Sequence, residues 1–128
     1  MSYYIAKETT LDFDAALARV IETLKAEGFG ILTDIDVQST LKAKIGADIP
    51  KYQILGACSP KIAHAALQAE DKLGVLLPCN VIVREAGGGR VEIAAVDPVT
   101  SMERTGNPAL QPYAADVRTR LQRAVESV

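Results

Sequence analysis

The stretch CNVIVREAGGGRVEIAAV, residues 79–96, determines how the rest of the chain can fold. It contains two apolar, β-branched runs on either side of a glycine-rich segment, a pattern typical of a β-hairpin. We therefore expect strands at Asn80–Glu85 and Arg90–Val96. Because hairpin strands are antiparallel, the sheet is predicted to be mainly antiparallel. The GGG segment joins two strands and leads into no helix, so no phosphate-binding loop is expected there.

Three further strands are predicted before this hairpin from runs of aromatic and β-branched residues. They are YYIAKET at Tyr3–Thr9, FGILTDID ending near Asp34, and YQILGAC ending at Cys58. The order of all elements is β-α-β-(α)-β-(α)-β-β-α, which predicts an α+β domain with helices on one face of a mainly antiparallel sheet.

Apolar residues at helical spacing predict the helices. The first begins after Asp12 as N-cap and ends at Gly28. A short helix over VQSTLKAKI follows the cap Asp36, another runs from Pro60 to about Asp71, and a terminal helix begins near Pro108. The arginines on the polar face of this last helix are predicted to be solvated: Arg118, Arg120 and Arg123.

The composition indicates one soluble domain that spans residues 1–128. The chain is 48% hydrophobic, enough for a single core. Fourteen Lys and Arg against sixteen Asp and Glu give a net charge of −2, so no nucleic-acid partner is expected. No leader peptide and no membrane-spanning run is recognised, so we expect a cytoplasmic protein without a membrane partner.

The segment QILGACSPKIAHAAL, residues 53–67, contains the most notable candidate residues. Ser59 and Pro60 are typical of a helix start, with Ser59 as the predicted cap. Cys58 directly precedes that start, where free amides and the helix dipole favour a thiolate. Helical spacing places His64 on the polar face with Lys61. If either residue carries chemistry, we therefore expect it to be Cys58.

Cys79 is the predicted partner of Cys58. A helix from Pro60 to Asp71 extends about 18 Å, and LGVLLP in extended form spans about 20 Å, which is enough for the chain to return. The two thiols are close if their strands are antiparallel neighbours, and at opposite sheet ends if the connection is a parallel crossover.

Several roles remain open for these cysteines. In a reducing compartment thiols stay reduced, so two cysteines are not expected to form a disulfide framework. They are either small buried hydrophobic residues or functional thiols. A closed zinc site lacks a fourth ligand beyond Cys58, Cys79 and His64, and an open site with these three residues is a minor alternative. We expect no metal site and no cofactor.

The segments GFGILTDIDVQSTLKAKIG, YQILGACSPKIAHAAL and LLPCNVIVRE resemble a prokaryotic family known as domain of unknown function 302, over nearly the whole chain. The resemblance implies a TATA-binding-protein-like fold, β-α-β-β-β-β-α, with two inserted helices and a homodimer. It also implies an association with sulfur metabolism in some organisms. The positions that match the family pattern are Gly28, Gly30, Asp36, Gly56, Cys58, Pro60, Leu77, Pro78, Cys79, Asn80, Asp97 and Pro98.

The resulting hypothesis is a homodimeric module that binds a small molecule or a protein in a groove walled by Cys58 and Cys79. Candidate ligand contacts among the family positions are Gly56, Pro60, Asn80 and Asp36. The alternative is a thiol-active sulfur carrier or redox protein, in which Cys58 is the nucleophile and Cys79 resolves it. A metal or haem protein that uses both cysteines and His64 is a third hypothesis. The sequence does not decide whether the protein is an enzyme.

Overall fold

One antiparallel sheet forms the centre of the computed structural model, which describes residues 2–128. Its strands are β1 (Tyr4–Thr9), β2 (Gly30–Asp36), β3 (Tyr52–Cys58), β4 (Cys79–Gly87) and β5 (Arg90–Val96). Their spatial order is β1-β5-β4-β3-β2, and every neighbouring pair is antiparallel. The antiparallel sheet predicted from the hairpin is therefore confirmed.

The helices do not cover the two faces of this sheet equally. They are α1 (Phe13–Ala26), α2 (Val37–Ile45), α3 (Pro60–Ala69), α4 (Pro98–Glu103) and α5 (Gln111–Glu126), with 3-10 turns at Leu73–Leu76 and Pro108–Leu110. The predicted α+β class is confirmed. Helix α4 is an addition to the two expected insertions. No helix within residues 2–128 is long and apolar enough to cross a membrane.

Helices α1 and α5 cover one face of the sheet. Alternate strand residues point toward them, and Leu55, Val81 and Ile93 are fully buried there. Leu24 of α1 and Leu121 of α5 are also fully buried and pack in the same cluster. Each such side chain contributes about 2 kcal/mol through burial. Within residues 2–128 no helix covers the opposite face of the sheet as α1 and α5 cover this one.

A smaller cluster packs the inserted helices α3 and α4 against α5. It contains Ala66, Leu73, Met102, Leu110 and Ala114. The segment LGVLLP is not extended as predicted, because its first four residues form the 3-10 turn that buries Leu73 in this cluster. Helix α3 ends at Ala69 rather than near Asp71, because Glu70 has an extended backbone conformation.

The predicted N-caps differ in outcome. Asp12 accepts a hydrogen bond from the Ala15 amide at 2.8 Å, and Asp36 accepts one from the Ser39 amide at 3.0 Å. The Ser59 side chain makes no cap hydrogen bond in the described chain, so that prediction is wrong. Helix α3 begins without it, because the Ser59 carbonyl accepts the first helical bond and Pro60 needs no donor.

The arginines of α5 are paired rather than only solvated. Arg118 Nε lies 3.1 Å from Asp97 Oδ2 at the start of α4. The other two ion pairs join Arg120 to Asp116 and Arg123 to Glu27. The three side chains are 36–57% exposed, so the predicted solvated face is present. The pairing was not predicted, because helical spacing shows which residues leave the core but not which carboxylates lie opposite them.

Candidate functional site

Cys58 and Cys79 lie side by side at one end of the sheet. Ala57 pairs with Cys79 in the β3–β4 register, so Cys58 is one residue beyond that pair. Both cysteines line a cavity of about 30 Å³ between the sheet, α3 and α4. Of the two connections that the sequence allows, the structure has the antiparallel one, which brings the cysteines together.

The walls of this cavity are almost entirely apolar. Its lining residues are Phe29, Ala57, Cys58, Ser59, Ile62, Ala63, Ala66, Leu73, Leu77, Pro78, Cys79, Met102 and Val117. Cys79 is 7% exposed, whereas Cys58 is only partly buried and thus lies nearer to solvent. This cavity, which we call the sulfur cavity, has room for one or two water-sized bodies.

Burial disfavours the thiolate form of both cysteines. It raises the pKa of Cys58 above its ordinary value of 9.0. For Cys79, burial and, to a smaller extent, the negative charge of a Cys58 thiolate raise the pKa to about 11. Burial therefore acts against the thiolate that the start of α3 favours.

His64 is exposed on α3 and does not line the sulfur cavity. Its predicted position on the polar face is confirmed. It therefore does not join the two cysteines in a three-ligand site. Within residues 2–128 there is no group of three or more His, Cys, Asp and Glu side chains placed to hold a metal ion.

Gly56 lies where three segments meet on the uncovered face of the sheet. Its register partners are Thr33 in β2 and Asn80 in β4. A β-carbon at Gly56 would overlap Thr33 Oγ1 and stand 2.7 Å from Pro78 Cγ. Glycine is therefore required for this close packing, which fixes the loop before β4.

A wide groove of about 810 Å³ crosses the uncovered face of the sheet. We call it the open-face groove. Its lining residues are Tyr3, Tyr4, Tyr52, Val75, Leu76, Leu77, Pro78, Asn80, Ile82, Arg84, Glu92, Ala94, Ala95, Val96 and Ser101. The predicted contact Asn80 lies here, but Cys58 and Cys79 line the sulfur cavity instead.

The floor of the open-face groove is apolar in its middle and polar at its ends. Ile82 pairs with Ala94 in the central row, and Arg84 pairs with Glu92 in the next row toward the hairpin. Arg84 Nε lies 2.7 Å from Glu92 Oε1, so these two charges neutralise each other. Asn80 is exposed at the opposite end. The floor thus presents an apolar strip between polar groups.

Asp36 and Pro60 line neither the groove nor the sulfur cavity. Asp36 caps α2 through its side chain, and its carbonyl also accepts a bond from Thr40 Oγ1 at 2.7 Å. Pro60 is the first residue of α3. These two family positions thus have a structural role, because each one begins a helix.

The sequence predicts a groove walled by Cys58 and Cys79, but not the open-face groove, which neither cysteine lines, nor the placement of Met102. The groove arises because α1 and α5 both pack on the other face of the sheet, which strand periodicity alone does not reveal. Met102 reaches the sulfur cavity from α4, whose start has a readable signal: Asp97, which accepts from the Val99 amide at 3.0 Å, precedes Pro98.

Comparisons with known proteins agree with this fold. No curated protein matches the chain. A solved structure described as an uncharacterized conserved protein DUF302 from Bacillus stearothermophilus is 28% identical to it. That likeness covers 99% of this chain and 98% of the other, with a TM-score of 0.92. The model of the family described as Domain of unknown function DUF302 matches residues 5–128. The chain therefore belongs to the DUF302 family.

Proposed function

We propose that this protein is a binding module that holds a small molecule in the open-face groove. The observation that carries the proposal is the groove itself, about 810 Å³ on the sheet face opposite α1 and α5. Ligand sites of proteins usually measure about 300–1,000 Å³ and combine apolar walls with a few polar groups. The groove has this size and this composition.

The lining indicates what kind of molecule fits. Three tyrosines stand around an apolar floor, and Tyr3 is 70% exposed. Tyrosine offers an apolar ring and a hydroxyl for hydrogen bonding. Because Arg84 and Glu92 neutralise each other, the groove carries no unbalanced charge on its floor. A ligand with a flat or elongated apolar body and uncharged polar ends is the best match.

The proposal includes a homodimer. Helix α2 contains no buried residue, Ile45 on it is 73% exposed, and Leu32 on the adjacent β2 is 65% exposed. Exposed apolar groups of this kind are typical of association surfaces. Light scattering at tens of micromolar is expected to give twice the 13.7 kDa chain mass. A monomer mass at that concentration contradicts this part of the proposal.

The ligand site can be tested with Nile red, an uncharged apolar dye whose fluorescence rises on binding. The wild type is expected to bind it, and Ile82→Glu, which places a charge on the groove floor, is expected to weaken binding at least tenfold. Ala18→Glu on the exposed face of α1 is the matched control and is expected to bind like the wild type. Equal binding by both variants would refute the groove as the site.

A second candidate is reversible thiol oxidation, which is favoured by the cavity that Cys58 and Cys79 share. With hydrogen peroxide as oxidant, two thiols lose their hydrogens, one S–S bond forms, and peroxide is reduced to two waters. Intact-mass spectrometry after peroxide treatment is expected to show a loss of two hydrogens that dithiothreitol reverses. Oxygen adducts without that loss contradict this candidate.

A further inference from the structure

The open-face groove differs in polarity between its two ends. At the end where β4 begins and β5 ends, its walls are mainly apolar, and Val75 and Tyr4 are both exposed there. At the hairpin end, Arg84 of β4 and Glu92 of β5 form an ion pair across the floor. A molecule that fills the groove therefore meets apolar side chains at one end and charged groups at the other.

The length of the groove follows from strand geometry. Asn80, Ile82 and Arg84 are alternate residues of β4 that line the groove from the same face. A strand rises about 3.4 Å per residue, so the rows of Asn80 and Arg84 are separated by about 14 Å. Between these rows Ile82 pairs with Ala94 and provides an apolar floor. The groove therefore suits an extended apolar chain of about this length.

Arg84 has hydrogen-bond donors to offer at the polar end. Glu92 is its only hydrogen-bond partner within residues 2–128. One carboxylate cannot satisfy every N–H donor of a guanidinium group. The Arg84 side chain is 39% exposed, so its remaining donors are accessible to a bound molecule. Because hydrogen bonds from a charged donor are stronger than those between neutral groups, Arg84 is a strong anchor for an oxygen of the ligand.

Glu92 restricts the charge that the polar end of the ligand can carry. Its carboxylate balances Arg84, so a ligand carboxylate would add a second negative charge beside Glu92. A ligand ammonium group would meet the like charge of the guanidinium. An uncharged carbonyl oxygen accepts from Arg84 and leaves the ion pair intact. Tyr52, the register partner of Arg84 in β3, lines the same end of the groove.

We propose that the Arg84–Glu92 pair makes the open-face groove selective for uncharged amphipathic molecules. The carbonyl oxygen of such a molecule lies at Arg84, and its unbranched apolar chain extends toward Val75 and Tyr4. This inference rests on the proposed function. Within the groove Arg84 binds the ligand oxygen, whereas Glu92 positions the guanidinium group and excludes anionic ligands.

The test is displacement of Nile red from the wild type by decanamide, decanoate and decylammonium at neutral pH. These probes share one chain length and differ in the charge of the head group. Decanamide is expected to displace the dye at a concentration about tenfold lower than either charged probe, because neither the carboxylate nor the ammonium group fits the balanced pair. Equal potency of decanamide and decanoate overturns the proposal.

Glu92→Gln removes the negative charge and leaves Arg84 unbalanced. Decanoate is then expected to bind about tenfold more tightly and decylammonium more weakly, so the preference for decanamide over decanoate falls. Glu8→Gln is the matched control. Glu8 is the register partner of Glu92 on β1, but it pairs with Arg90 and does not line the groove. This control is expected to leave all three potencies within about twofold of the wild type.

Two more variants separate the head of the ligand from its chain. Arg84→Gln leaves Glu92 unbalanced and is expected to favour decylammonium over decanoate. Val75→Ser changes only the apolar end, and is expected to weaken decanamide and decanoate equally, by about threefold. Circular dichroism shows whether each variant is folded, and Arg84→Gln keeps the test decisive if Glu92→Gln does not fold.

The outcomes distinguish this inference from the proposed function. If the wild type binds Nile red but Glu92→Gln and Glu8→Gln bind decanoate equally, the charge selection is overturned and the groove remains a ligand site. If Val75→Ser weakens neither probe, the direction of the chain is overturned. A wild type that does not bind Nile red contradicts the proposed function and this inference together.

Discussion

Gly56 of β3 and Thr33 of β2 are register partners that touch with no room for a side chain between them. Pro78 closes the same space from the loop before β4, since its Cγ would lie 2.7 Å from a β-carbon at position 56. This contact fixes both Asn80 in the open-face groove and Cys79 in the sulfur cavity, because the two residues directly follow Pro78.

Gly56→Ala is expected to destabilise the fold by about 1–3 kcal/mol, because two neighbours must move to accommodate the methyl group. Gly30→Ala is the matched control in the adjacent strand, where a β-carbon meets nothing within 4 Å. Urea unfolding followed by circular dichroism measures both variants. If Gly56→Ala proves as stable as Gly30→Ala, the close packing of Thr33 and Pro78 does not matter for stability.

Asp97→Ala is expected to lower the free energy of unfolding by about 2 kcal/mol. Asp97 is 7% exposed, caps α4 through the Val99 amide and pairs with Arg118 of α5. Asp116→Ala removes an exposed ion pair on α5 and is expected to cost less than about 0.5 kcal/mol. Thermal or urea unfolding of both variants should show this difference, and equal losses would contradict it.

In the folded protein, only Cys58 is expected to be alkylated by iodoacetamide, and only slowly. Burial raises the pKa of both thiols and hides Cys79, so iodoacetamide at pH 8 should label Cys58 more slowly than free glutathione and Cys79 only after unfolding. Peptide mass spectrometry assigns the label. The Cys58 rate should increase as the pH approaches its raised pKa.

Two variants separate the roles of Cys58 and His64 in this labelling. Cys58→Ser should abolish it in the folded state, whereas His64→Ala should leave the rate within about twofold and the stability within about 0.5 kcal/mol, because His64 is exposed and outside the cavity. Equal loss of labelling in the two variants would restore a joint cysteine–histidine mechanism.

Cys79 is expected to make stability fall at alkaline pH. Its pKa is about 11 in the folded chain and about 9.0 when unperturbed, so the unfolded state releases its proton first. The contribution is complete below pH 9 and decreases between pH 9 and 11, by about 2 kcal/mol at pH 10.5. Urea unfolding of wild type and Cys79→Ala at pH 7.5 and 10.5 isolates this effect from other titrations. A constant difference between the two proteins would contradict it.

Much of the fold follows from the sequence because local patterns suffice for it. The hairpin at residues 79–96, the cap Asp12 and the stripe of α1 depend on neighbouring residues, and each predicted element exists in the structure. The exposed position of His64 follows from helical periodicity alone. The predictions that differ, such as the extended LGVLLP segment and the Ser59 cap, concern connections whose shape depends on distant packing partners.

The sequence by itself determined the strands and the main helices, and it identified Cys58 and Cys79 as candidate site residues. Only the tertiary structure decided that these cysteines share the sulfur cavity with Met102, while Asn80 lies in a separate groove. The physical reason is that side-chain alternation in β4 sends Cys79 toward the helices and Asn80 toward the uncovered face. Which residues each then meets depends on strand order and helix packing, and no local pattern encodes these.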